Sequence, residues 1–446
     1  MTASVSADMT RGSIAARLVG MTLPMIAGFL AVITFEFADG WFVSRLGTPA
    51  LAALSFSFPV CLTIICLFVG LGIGTGSAVS RAVGRGDAAA ARRLATSSLL
   101  FSLVVSALIS AAGILTVRPL FRFLGAGEEL LAGIEAYMTV WYAGVFTVAV
   151  PVIAGNALLA VGAARATGLI NTFGSVANIV FDPLFIFGWG IFPRWGLAGA
   201  AAATVAARFA ASLLSLAVLS FRHRLFAPRI RPFSRLLADW RPTAAVGFPA
   251  AATHMVGPLA LALLIRLASR FGIEAVAAVG VGSRIDPFIF VVFWSLSDVM
   301  VVFTGQNLGA GRVSRIAAAT SVSMAFVLGW GLASAVLLYF LGAGIGRNFS
   351  AVPGVVGAVG EYFRVMPWSY AGVGAVCVSA AVFNGLNLPL RGAVLSVLHL
   401  VLLFVPLAWA GASLAGLAGM FGGVAVSYWL AGAAGAAWVF KSLRRG

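Results

Sequence analysis

Charge is scarce in this sequence: of 446 residues only 9% are Asp, Glu, Lys or Arg, while 61% are hydrophobic. Ordinary soluble domains carry about 25% charged residues, so a globule solvated by water is excluded. Cysteine is rarer still. Cys61, Cys66 and Cys377 are scattered through apolar stretches, which excludes a disulfide framework and a thiolate metal centre. His223, His254 and His399 are equally dispersed, and no Cys/His cluster, P-loop or G-x-S-x-G elbow occurs. No catalytic constellation is visible, so an enzyme is not expected, and neither is a cofactor. Strand-like alternation is missing as well, which argues against an outer-membrane barrel.

What the chain does have is apolar sequence in long runs. Twelve stretches of 18 residues or more lie near 14–40, 50–78, 95–117, 131–154, 167–191, 197–220, 243–269, 276–304, 317–345, 357–383, 391–410 and 412–440. Each is long enough to cross about 30 Å of hydrocarbon. In lipid, backbone groups must bond within their own segment, so these runs are predicted to be helices. The first run is too long for a signal peptide, contains Pro24 and two acids, and leads directly into a second span. The fold class expected is an all-α polytopic membrane protein with twelve transmembrane helices.

The formal charge of +16 sorts by loop. Nineteen Lys and Arg residues fall at the termini and in loops after even-numbered helices, against six in loops after odd-numbered ones. The positive-inside rule then places both termini in the cytoplasm of a cell whose inner (plasma) membrane holds the chain. Nucleic acid is not expected as a partner, and no obligate protein partner is evident; the lipid bilayer and a small organic molecule are the partners expected.

The sequence also overlays itself. At an offset of 225 residues Pro24 meets Pro249, Arg45 and Gly47 meet Arg270 and Gly272, and Gly84 and Gly86 meet Gly309 and Gly311. Residues 1–220 and 243–446 therefore read as two six-helix bundles, joined by a basic, proline-bearing linker at 221–242. An even number of spans per repeat gives both the same orientation, related by a pseudo-twofold axis along the membrane normal.

Acids inside the spans carry the functional signal, because a charged Asp at a helix centre costs about 2.5–3.5 kcal/mol on insertion scales. Glu36 and Asp39 share one face of the first helix. Asp182 follows Asn178 by one turn and precedes Pro183, which frees a backbone carbonyl. Neither Asp39 nor Asp182 has an Arg one turn away, so each is a candidate for exchanging a proton or, with Asn oxygens, for ligating Na⁺. Pro24 offers a bend in the first helix. Asp286 and Asp298 lie on a helix with Arg284 and are read as ion-paired. Glu36 is read as a cavity residue or a surface one, and His254 as a cavity candidate or a packed imidazole.

The stretches "DGWFVSRLGTPALAALSFSFP" (39–59), "SRAVGRGD" (80–87), "NIVFDPLFIFG" (178–188), "GIEAVAAVGVGSRID" (272–286) and "GQNLGAGR" (305–312) resemble the multidrug and toxic compound extrusion (MATE) transporters, in particular the DinF-like branch. That resemblance implies two six-helix bundles in a V and an antiporter that exports organic, often cationic, compounds against H⁺ or Na⁺. It implies an ion-coupling site of Asp39, Asp182 and Asn178, to which Asn156 and Thr204 are added, with Na⁺ at Asp39, Asp182 and Asn178 as one option. The glycine-rich "GQNLGAG" reads as a turn. The alternative is a flippase for a lipid-linked precursor, whose pyrophosphate would call on Arg266 and Arg364.

Overall fold

The computed structural model describes residues 9–190, 192–227 and 233–444, the side chains of 233–235 apart. Every regular element in it is helical: α1 (Ile14–Ser44), α2 (Thr48–Gly84), α3 (Ala88–Phe123), α4 (Glu128–Ala143), α5 (Phe146–Ala160), α6 (Ala164–Phe187), α7 (Leu197–Ala217), α8 (Phe233–Ala268), α9 (Ile273–Gly309), α10 (Val313–Phe349), α11 (Pro353–Val365), α12 (Tyr370–Gly385), α13 (Pro389–Leu398) and α14 (Val405–Leu443). Among the described residues ten helical stretches are long and apolar enough to span a bilayer, and α4 with α5, bent by 43°, makes an eleventh. The stretch from Pro389 to Leu443 counts once in that tally but is broken at Ala415 and Gly416, where the backbone leaves the helix. Two spans replace it, and twelve result. Large apolar side chains such as Leu108, Leu115, Phe340 and Leu414 stand exposed on the outer faces, as a hydrocarbon solvent requires.

The repeat is written into the backbone. Gly47 and Gly272, which match in sequence, both adopt φ +101° at the turn into α2 and α9. Gly86 and Gly311 pair in the same way, at φ +75° and +69°. The second of these pairs includes the "GQNLGAG" motif, closed by Arg312 N donating to Asn307 O at 2.7 Å. Its glycine is needed for a left-handed turn, as the structural reading expects.

Contacts divide the chain into a first unit, Leu23–Ala251, and a second, Met9–Thr22 with Ala252–Gly446. This boundary differs from the expected linker. Residues 233–243 are the opening turns of α8, and they pack within the first unit through Arg93 Nε to Asp239 Oδ1 at 3.0 Å, Ser98 to Thr243 at 2.8 Å and stacked Phe101 and Trp240. The middle of the linker, 228–232, lies outside the described residues. The N-terminal strap makes the converse choice. Met9 is fully buried, its N–H donates to Gln306 Oε1 at 3.1 Å, and Arg312 and Arg315 donate to the carbonyls of Thr10, Gly12 and Met9. Each repeat's first helix therefore begins on the other unit. Arg315 donates to the carbonyl of buried Met9 and to that of exposed Gly12, and a lost hydrogen bond to a charged donor costs about 1.5–3 kcal/mol at most, so Arg315→Ala is expected to lower the thermal midpoint and speed proteolytic clipping near residue 12; a midpoint and clipping rate equal to the parent's would contradict the strap.

Small residues let the helices close in, as in membrane bundles generally. A Cβ on Gly74 would lie 2.2 Å from Thr243 O, and one on Gly168 equally close to Pro24 O. Alanine at Gly144, where a Cβ would meet Val205 Cγ2 at 2.3 Å, should lower the melting midpoint, overpacking of this kind costing about 1–3 kcal/mol.

Candidate functional site

In the first unit, α6 carries Asn178 and Asp182 one turn apart, and α7 carries Thr204 and Arg208 at the same spacing. Asn178 Nδ2 donates to Thr204 Oγ1 at 3.1 Å, tying the two helices together. Asp182 is fully buried and Asn178 is 2% exposed. Neither Asp182 oxygen has a hydrogen-bond partner in the protein, and Asn178 Oδ1 has none either. Pro183 lacks an N–H, which releases the Ile179 carbonyl beside them.

Asp39 approaches from α1, half-buried, with its Oδ1 also unpartnered. The charge on Asp39 acts on Asp182, and the two helices that carry them touch at Phe42 and Phe187, with ring centroids 6.2 Å apart. Orphaned buried oxygens of this number are costly, about 1–3 kcal/mol each and more when charged. Carboxylate, amide and carbonyl oxygens are the donors a proton or a hard cation accepts, and this donor set suits either. Among the described residues no three Asp, Glu, His or Cys side chains converge as a metal site; Na⁺ at this place would depend on Asn178 and backbone oxygens as well.

A further participant is Arg208, one of the intramembrane arginines with which the sequence could pair these acids. Arg208 interacts electrostatically with Glu36, Asp39 and Tyr137, yet no ion pair within 4 Å joins it to any of them among the described residues. Its signal was available, since Arg208 stands one turn after Thr204 on the face that meets α6. Glu36, exposed on α1, shares this cation's field.

Other candidates are placed elsewhere. Asn156 is turned toward α2: its Nδ2 donates to Val152 O at 3.0 Å, and its amide fills the space a Cβ would take on Gly72 or Gly76. The structure gives it no bond to Asn178 or Asp182. His254 stands at an exposed position on α8. Pro24 lies inside a continuous α1, its carbonyl against Gly168 of α6. Asp286 corrects the expectation of an ion pair. Its partners are Tyr362 and Tyr370, and Arg284 is exposed.

The MatE family profile matches residues 24–184 and 249–410, one copy in each repeat. A protein of Shewanella oneidensis named FAD transporter is 34% identical over 403 residues, covering 90% of this chain and 89% of its own. A probable multidrug resistance protein of Bacillus subtilis, YpnP, is 24% identical over 91% of each chain. Among solved structures, the Vibrio cholerae MATE transporter VcmN superposes with a TM-score of 0.92 at 28% identity, over 99% of both chains.

Proposed function

The chain belongs to the MatE family of multi-pass membrane transporters, and from that premise we propose that it is a cation-coupled antiporter that exports organic, often cationic, compounds. It is a transporter and not an enzyme. The observation that carries the coupling proposal is the buried Asp182, bare of protein partners and within reach of Asp39. Occupation of these oxygens by H⁺ or Na⁺ cancels their charge, and with it their attraction for a cationic substrate. One site is then shared by two cations in turn, which is the requirement for exchange. Each elementary charge carried inward through 100 mV supplies about 2.3 kcal/mol, enough for a substrate gradient of roughly fiftyfold at 1.4 kcal/mol per decade.

The chain's place in this reading is the bacterial inner membrane with both termini in the cytoplasm, on the strength of the nineteen-to-six asymmetry of basic residues. A second reading is favoured by the 34% relative named for FAD. A flavin dinucleotide carries a pyrophosphate, the same chemistry that a lipid-linked precursor would present. Arg266, Arg284 and Arg364 stand exposed in the spans of the second unit. Arg284 and Arg364 are each eleven residues into their helices, or about 16 Å along the axis at 1.5 Å per residue.

Everted vesicles decide between the two. Uptake of a fluorescent organic cation on imposing a pH or a Na⁺ gradient, each applied alone, is the expected result. Gradient-driven uptake of FAD without the dye would move the assignment to the second reading. No uptake of either under either gradient would contradict the proposal.

A further inference from the structure

The second unit holds a buried carboxylate that the coupling proposal does not use. On α9, Gly282, Asp286 and Phe290 stand four residues apart and so share one face. Asp286 is buried. Its Oδ2 accepts from Tyr362 Oη at 2.7 Å and its Oδ1 from Tyr370 Oη at 2.5 Å, within the range of O–H···O hydrogen bonds. Tyr362 comes from α11 and Tyr370 from the first residue of α12. The neighbours on the stripe fit the two phenols. A Cβ on Gly282 would lie 2.2 Å from Tyr362 Cζ, so glycine makes room for that ring. Phe290 meets Tyr370 edge-on with centroids 5.0 Å apart, and Phe421 of α14 meets Tyr362 at 5.1 Å.

Compensating cations are missing from this surround. Among the described residues no Arg, Lys or His pairs with Asp286. Arg284 on its own helix and Arg364 on α11 are exposed, and Glu361 on α11 is half-buried. Asp298 lies twelve residues further along α9. From α10, Arg315 holds the N-terminal strap, while Tyr339 and Arg347 are exposed. Cys377 of α12 and Tyr428 of α14 are further ionisable groups of this neighbourhood, and buried His399 lies against Tyr428 with ring centroids 4.4 Å apart.

Two comparisons inside the chain set the residue apart. The 225-residue offset puts Asp286 on Cys61, whose Sγ lies 3.8 Å from Met138 Sδ, so the first repeat fills the matching place with sulfur. Asp286 also precedes Pro287 inside its helix, as Asp182 precedes Pro183. Both acids therefore sit where a helix has given up one backbone hydrogen bond.

We propose that Asp286, Tyr362 and Tyr370 form a proton-binding site of the second unit, separate from the Asp39–Asp182 site. Phenol hydroxyls both donate and accept, so the trio serves two states with the same atoms. The ionised carboxylate accepts from both tyrosines. On taking a proton, it becomes a carboxyl that donates to one phenol oxygen, whose own O–H turns away from it, and still accepts from the other; the carboxyl O–H is the only covalent bond formed. A metal cation fits less well, because two O–H dipoles already point their hydrogens at the carboxylate.

Infrared difference spectra of the full chain in liposomes, acid minus alkaline, test this directly. A carboxyl C=O band present in the parent should vanish in Asp286→Asn, move to higher wavenumber in Tyr370→Phe, and persist in the Asp39→Asn, Asp182→Asn double variant. Should Asp286→Asn fail to fold, Tyr370→Phe and Tyr362→Phe carry the same readout. A band unchanged in every folded variant of the trio would overturn the proposal. The spectra need no transport, so a failure of the coupling proposal leaves them interpretable.

Discussion

Asp182→Asn is expected to reduce gradient-driven transport by at least about tenfold, the equivalent of 1.4 kcal/mol in driving force, without lowering thermal stability. The first half follows from the carboxylate's isolation. Both its oxygens are buried and neither has a protein partner, so the group's interactions are with whatever ion or substrate reaches it. The second half follows from the same isolation. A charge without hydrogen bonds inside a membrane protein is a burden on the fold, and asparagine keeps the shape while removing the charge. Functional sites commonly carry such a stability cost. Thermal unfolding followed by size-exclusion, alongside transport in proteoliposomes, reads both effects. A variant that unfolds earlier, or transports as the parent does, would contradict this account of Asp182.

The second large effect is expected at Gly168→Val. A Cβ at this position would stand 2.2 Å from Pro24 O and 2.9 Å from Pro24 C. Backbone is on both sides of the contact, so neither partner can swing away as a flexible side chain would. From the other helix, a Cβ on Gly28 would lie 2.9 Å from Gly168 Cα. The crossing of α1 and α6 therefore rests on two glycines, and it brings together the helices that carry Asp39 and Asp182. Overpacking costs about 1–3 kcal/mol, occasionally more, and here it also displaces one aspartate from the other. Transport and melting midpoint should fall together. Gly40→Ala on α1, where a Cβ would meet nothing within 4 Å, is the control and should change neither. Equal behaviour of the two variants would remove the α1–α6 crossing from the account.

Much of this was legible in the sequence, for physical reasons that differ from residue to residue. The twelve spans could be read because lipid imposes length and apolarity on every one of them. Asp39, Asp182 and Asn178 stood out because acids and amides are costly in such segments and none had a cation one turn away. What escaped was whatever depends on packing between helices. The packing of Asn156 against Gly72 and Gly76 is one such contact. Asp286 was assigned to Arg284 by closeness in sequence, whereas its partners are 76 and 84 residues away. The exchange of first-helix ends between units was also invisible, because it rests on Arg312 and Arg315 bonding to backbone carbonyls some 300 residues distant, and carbonyls carry no sequence signal.

The central claim is that Asp39 and Asp182 hold the coupling ion, and its most direct measurement is ion binding to the purified chain. Proton uptake and ²²Na⁺ binding are followed in the parent, in Asp39→Asn and in Asp182→Asn, with and without transported substrate. The account predicts saturable binding of one of these ions by the parent, displaced by substrate and lost in both variants. Undiminished ion binding in both variants would contradict it.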